Sequence, residues 1–257
     1  MVKLPEFSYM PVDIHCHFNH GSDLDIAQSP ISCSNIAFLR DAYDRIGIAW
    51  GGISTLASVY HPNGDGVVES NRWLQDFAQK ENWVRQWVVV EPRAEESFRQ
   101  AEEMLPSSKT LGIKIHPSFH QYDLAEFGDK IFSFANDREA VVLMHPVMTP
   151  EGFVQIAHFA DKYPKMKLIV AHLCSAEYVE LLQNHSNIYT DTSGSASSLN
   201  NVLEYAVEQV GSEKILFGTD GYSAEFQFGR VALSRLPYED KENILYKNAQ
   251  SLFPKAF

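Results

Sequence analysis

Two histidines, His15 and His17, flank a cysteine inside the apolar stretch VDIHCHF that begins at Val12. Further along, four more apolar runs each end on a chemically competent side chain: IKIH at His116, VVLMH at His145, LIVAH at His172 and LFGTD at Asp220. Neutral imidazole nitrogen and carboxylate oxygen are ligands that zinc and other divalent first-row ions take at about 2.0–2.2 Å, with a position left for water. Such an ion lowers the pKa of its water toward ~7, which makes hydroxide available at neutral pH. A single histidine at a strand end is more often a hydrogen-bonded structural residue. Polar ends recurring on five strands raise the odds that they converge, and convergence would make a metal site. His20, His61, His120, His158 and His185 fall in loops or a helix and carry no such expectation.

The elements that must position these residues are legible in the periodicity. Eight β-rich segments alternate with amphipathic stretches: VDIHCHF from Val12, GIAWGGISTLA from Gly47, VRQWVVVEP from Val84, LGIKIHP from Leu111, AVVLMHP from Ala140, KLIVAHL from Lys167, NIYTDTS from Asn187 and KILFGTD from Lys214. In SNIAFLRDAYDRIGI, Ile36, Leu39, Tyr43 and Ile46 share a helical face behind a Ser34 or Asn35 cap. In TPEGFVQIAHFADKY, Thr149 caps and Pro150 takes the first helical position. Strands apolar on both faces and alternating with helices belong to a parallel sheet, and eight such units in about 250 residues predict a (β/α)8 TIM barrel. A doubly wound open sheet is the rival, but its Gly-rich phosphate turn is missing. Strand alternation puts Asp13, His15 and His17 on one face, turned toward the barrel axis.

With 257 residues and 45% hydrophobic content, the chain can bury a large core, and with no linker in sight it reads as one domain over 1–257. A formal net charge of -12 without a basic cluster argues against nucleic-acid or anionic-membrane partners and leaves a small-molecule substrate. No run is long and apolar enough to span a bilayer, and MVKLPEFSYM lacks the core of a signal peptide, so a cytoplasmic location is expected. Cys16, Cys33 and Cys174 read as packed thiols of a reducing compartment. A homo-oligomer stays open.

In this order, DIHCHF, GIKIHP, VVLMHP, LIVAHL, NIYTDTSG and ILFGTD resemble the amidohydrolase superfamily, specifically the amidohydrolase-related group that includes aminocarboxymuconate-semialdehyde decarboxylase. The likeness runs from about Val12 to NILYKNAQSLF, and it is strong as an ordered set although each motif is weak alone. It implies His15, His17, His145 and Asp220 as ligands of one divalent ion, zinc being the first choice. It implies Asp220 as the proton carrier and His172 as the group that orients water or polarises substrate. His116, on the fourth strand, is expected to meet substrate.

Lys114 shares His116's parity one layer deeper, and some two-metal relatives bridge their ions through a carboxylated lysine there. A second metal with Lys114 and His172 is therefore the lesser expectation, and the plain alternative for Lys114 is a buried ion pair with an acid such as Asp13. Asp191 and Ser193 are read as ordinary turn chemistry. Hydrolysis of an amide, lactone or ester by activated water is the first functional expectation. The alternative is non-oxidative decarboxylation of an aromatic or unsaturated acid, whose carboxylate would need a cation from Lys114, Arg230 or Arg235. A barrel kept only as a binding module comes third.

Overall fold

The computed structural model describes residues 6–20, 34–194 and 200–257; Cys33 lies outside them. All eight expected strands form: β1 (Asp13–Phe18), β2 (Gly51–Thr55), β3 (Val84–Val89), β4 (Thr110–Ile115), β5 (Val141–Met144), β6 (Lys167–Val170), β7 (Ile188–Asp191) and β8 (Ile215–Leu216). They run parallel in the order β1 to β8. Backbone hydrogen bonds then bring the ends together, from Ile14 N–H to Phe217 O at 2.9 Å and from Thr219 N–H to His15 O at 2.9 Å. The result is the expected (β/α)8 barrel.

Helices follow the strands: α1 (Ile36–Ile46), α2 (Leu56–Tyr60), α3 (Val67–Lys80), α4 (Glu95–Met104), α5 (Pro117–His120), α6 (Leu124–Asp137), α7 (Pro150–Lys162), α8 (Ala176–Asn184), α9 (Val202–Val210) and α10 (Ala224–Ala232), before a C-terminal helical run from Tyr238. Asn35, rather than Ser34, caps α1, its Oδ1 accepting from Ala37 N and Phe38 N. Leu39 and Tyr43 are buried, with Ile36 and Ile46 packed at the edge of the core. Thr149 caps α7 through Gly152 N, with Pro150 at the first turn, as its sequence demands. Among the described residues no helix is long and apolar enough to cross a membrane. Cys16 and Cys174 are free thiols.

Two apolar layers result from strand alternation. The larger joins outward residues such as Cys16, Phe18, Ile113, Ile115, Val142, Met144, Leu168 and Val170 to the helices. The smaller fills the barrel floor with Ile14, Trp87, Leu143, Ile169, Ala171 and Leu216, closed from below by Phe253. The Trp87 indole N–H donates to Ile14 O at 2.7 Å, so the floor's largest side chain leaves no polar atom orphaned.

One expected orientation is corrected. The β1–β2 register shifts between Asp13 and Cys16, so strict alternation fails there. Ile14 joins the floor, while Asp13 takes hydrogen bonds from the Tyr43 hydroxyl of α1 at 2.6 Å and from Thr219 Oγ1 at 2.6 Å. Asp13 is therefore a link between β1, α1 and the end of β8 and not the partner of Lys114. Burial raises its carboxyl to about 7 even though the hydroxyl donors oppose the shift.

Candidate active site

The polar strand ends meet at the C-terminal mouth. His15 Nε2 lies 3.3 Å from His17 Nε2 and 3.4 Å from Asp220 Oδ1, and His17 Nε2 lies 3.2 Å from the same oxygen. Four imidazoles border one another: His15 and His172 rings are 5.3 Å apart, His172 and His145 are 5.0 Å apart, and His145 stacks on His116 at 4.1 Å. Of the expected ligands, His15, His17 and Asp220 form the tight set, with donor atoms within 4.8 Å of one another; His145 stands beside it, against His172 and His116.

Tautomers follow from what lies behind each ring. His15 Nδ1 faces Asp191 Oδ2 at 2.8 Å, His17 Nδ1 faces Ser54 O at 3.1 Å, and His145 Nδ1 faces Pro146 O at 3.0 Å. A carbonyl or carboxylate oxygen only accepts, so each Nδ1 carries the proton and each Nε2 keeps its lone pair. Ser193 Oγ gives its proton to Asp191 Oδ1 and so accepts from His172 Nδ1 at 2.9 Å, which leaves the His172 Nε2 lone pair available too. His116 is the reverse. As N-cap of α5 its Nδ1 accepts from Phe119 N at 3.3 Å, so its Nε2 bears the hydrogen. The donor set of neutral imidazoles and a carboxylate fits a divalent first-row ion, and the carboxylate behind His15 is the support such ligands usually have.

Electrostatics agree with this division. Burial drives His15 and His145 down to about 3, with the Lys114 charge adding to the effect on both, and it holds His116 well below its ordinary value. Burial alone would raise Asp220, but the neighbouring His172 and the hydrogen bond to His17 hold its carboxyl below the usual carboxylate range. The site therefore pairs imidazoles that burial keeps neutral, at His15, His116 and His145, with an ionised Asp220.

Backbone strain aims two of these side chains. Along β6 and the residue after it, Ile169 and Ala171 face the floor while Leu168 and Val170 face the helices, so strict alternation would turn His172 outward. Its φ of 69° redirects it into the mouth, and its N–H is held by Asp191 Oδ1 at 3.1 Å. Asp220 also has a left-handed φ, 59°, with its N–H bonded to His15 O at 2.7 Å. Such conformations cost about 1–3 kcal/mol each and persist where surrounding contacts fix them, commonly at functional sites. Gly218 permits close packing under the site: a Cβ there would lie 3.0 Å from His15 Cβ and 3.1 Å from Ser193 Cβ.

Reading Asp191 and Ser193 as turn chemistry understated them. Asp191 is fully buried and also accepts from the backbone N–H of Ser193 at 2.9 Å, so one carboxylate organises β1, β6 and β7. The signal was present in NIYTDTSG, where the two residues sit at i and i+2 at the end of an apolar strand. Lys114 is buried with Nζ 3.1 Å from His15 Nε2, and among the described residues no carboxylate forms an ion pair with it. Burial lowers its amine to about 8. Arg230 instead grips Glu204 through both terminal nitrogens, at 3.0 and 2.6 Å, and Phe228 packs into the outer core.

A model of the protein family described as amidohydrolase matches residues 12–255. No curated protein matches the sequence. Among solved structures, 5-carboxyvanillate decarboxylase from Novosphingobium aromaticivorans, complexed with manganese and 4-hydroxy-3-methoxy-5-nitrobenzoic acid, aligns with a TM-score of 0.74 at 16% identity, covering 96% of each chain. A dihydroxybenzoic acid decarboxylase from Polaromonas, with bound manganese and 2-nitroresorcinol, aligns at 0.72 and 16% identity over 95% of this chain and 97% of that one. A putative 2-pyrone-4,6-dicarboxylic acid hydrolase from Pseudomonas putida aligns at 0.66 and 15% identity over 96% and 98%. At these identities the likeness establishes the shared fold.

Proposed function

Because this chain belongs to the amidohydrolase family, we propose that it is a metal-dependent enzyme that removes the carboxyl group of an aromatic or unsaturated acid without oxidation. His15, His17, His145 and Asp220 would hold one divalent ion, manganese or zinc. The observation that carries this reading is Lys114: a buried ammonium with no carboxylate partner among the described residues suits an anionic substrate. A buried charge with no carboxylate in direct contact is costly, although Asp220 and Asp191 act on it from a distance, and a substrate carboxylate would relieve that cost on binding. The manganese in two decarboxylases of the same fold supports the same reading.

When bound, the ion supplies Lewis-acid charge beside the substrate's oxygens. Lys114 draws the carboxylate to the mouth, and its amine, at about 8, keeps it mainly protonated at neutral pH. His116 offers Nε2–H as a hydrogen-bond donor to the substrate's remaining polar groups. The bond from carbon to carboxyl breaks and carbon dioxide leaves with no change in oxidation state of the protein. The proton that takes its place on carbon passes through His172 Nε2, the nitrogen opposite the one held by Ser193. Asp220 stays ionised beside it.

Hydrolysis is the second reading, favoured by the hydrolase among the fold neighbours and by Asp220 standing ready to take a proton from water. Product analysis separates the two. Carbon dioxide release from a panel of carboxylated aromatics, without incorporation of labelled solvent oxygen, is the expected result. Incorporation of label with no carbon dioxide would overturn the first reading in favour of the second. In either case Asp220→Asn should cost at least the ~10²–10⁴-fold of a general acid–base step, with the metal contribution in addition.

A further inference from the structure

A buried polar network that the proposed chemistry does not use lies beside the mouth, at the ends of β3 and β4. Glu91, two residues beyond β3, is 1% exposed and takes hydrogen bonds from Arg93 Nε at 2.6 Å, Nη2 at 3.0 Å and backbone N–H at 3.0 Å. Arg93 Nη2 also donates to the carbonyl of His120 at 2.6 Å, the last residue of α5. The His120 ring is fully buried and donates through Nε2 to Ser58 O at 3.0 Å, in α2. One ion pair and one imidazole therefore tie together the connections after β2, β3 and β4.

Both short helices in this tie carry an aromatic ring near their C-terminal end, beside the histidine cluster. Thr55 caps α2, and its last residue, Tyr60, is half-buried with its ring 6.3 Å from that of His17 at 83°. In contact with it, α5 carries Phe119, 4.4 Å from Tyr60 and 4.5 Å from His116. Tyr60, Phe119 and His116 thus form a continuous aromatic wall, on the two short helices that the network ties together.

We propose that Tyr60 is a substrate-contacting residue that selects planar ligands, and that Glu91, Arg93 and His120 are positioning residues that hold Tyr60 against Phe119 so that the two rings present one aromatic face. This deepens the decarboxylase reading by naming what recognises the ring, and it rests on that reading for the carboxylate end. A flat π-system gains from offset or edge contact with each aromatic side chain, whereas a puckered ring of equal size and charge gains only its apolar area.

The test compares benzoate with cyclohexanecarboxylate, two monoanions alike in size, binding to the manganese-loaded protein by calorimetry. Wild type should prefer benzoate by about tenfold, the scale of two aromatic contacts. Tyr60→Leu should bring the preference within about twofold, and Tyr60→Phe should restore it. Arg93→Met changes no wall side chain but removes the tie that positions them, and should also lose the preference, with one equivalent of manganese retained. Equal binding of both acids by wild type, no binding of either, or a preference kept in Tyr60→Leu overturns the role of Tyr60. A preference kept in Arg93→Met overturns that of the network. Failure of the metal-dependent reading shows differently, as less than one equivalent of manganese or no carbon dioxide from any acid.

Discussion

Asp191→Asn tests the claim that a carboxylate outside the ligand set fixes the ligands. In the native protein one Asp191 oxygen accepts from His15 Nδ1 at 2.8 Å, and the other accepts from Ser193 Oγ, Ser193 N and His172 N. An asparagine has one accepting oxygen. Directed at the Ser193 and His172 donors, it places its NH2 against the His15 Nδ1 proton; turned about, it meets three donors with a fourth. The cheaper solution keeps the first orientation and moves the His15 proton to Nε2, which removes the lone pair that faces His17 and Asp220. Loss of such a supporting partner typically weakens metal binding about 10–100-fold, or about 1.4–2.7 kcal/mol. Competition with a chromophoric chelator measures the affinity, and imidazole nitrogen shifts by NMR report the tautomer. Manganese affinity within twofold of wild type, or an unmoved His15 proton, would refute the reasoning.

Acid should destabilise the chelator-stripped protein well above the carboxylate range. Burial keeps His15 and His145 at about 3 and His116 well below normal, so the unfolded chain binds protons the folded one refuses as pH falls from about 6.5, and stability drops. Asp13, raised to about 7, opposes one of them, because between about 4 and 7 it is protonated only when folded. His15 and His145 less Asp13 leave one proton, a loss of about 1.4 kcal/mol per pH unit, with His116 adding in the same direction; urea midpoints read it, and equal stability at pH 6.5 and 4.5 would contradict it. Below about pH 4 the depressed carboxyls of Asp191 and Asp220 add to the loss. Gly218→Ala should cost about 1–3 kcal/mol and weaken metal retention, since its methyl meets His15 and Ser193 side chains. Thr149→Ala removes only the α7 cap; it should lower the melting temperature by about 2–4 °C, from about 1 kcal/mol, with metal affinity unchanged.

Much of the fold is local information. Apolar runs of period two, helices of period 3.6 and caps at Asn35 and Thr149 are written within a few residues of where they act, which is why all eight strands are legible and the closed barrel follows from their number and alternation. The recurrence of His and Asp at strand ends is legible for the same reason. Side-chain direction is less so, because it depends on register and dihedral angles that neighbouring strands impose. The irregular register of β1 sends Asp13 to Tyr43 and away from Lys114, and a left-handed turn brings His172 inward against its strand parity. Tautomers lie further out of reach: whether an imidazole presents a lone pair or a proton depends on the atom behind it, and Asp191 stands 176 residues from His15. The sequence by itself determined which chemical groups end each strand. Only the tertiary structure decided which way they point and which nitrogen carries the hydrogen, because both are settled by contacts between strands distant along the chain.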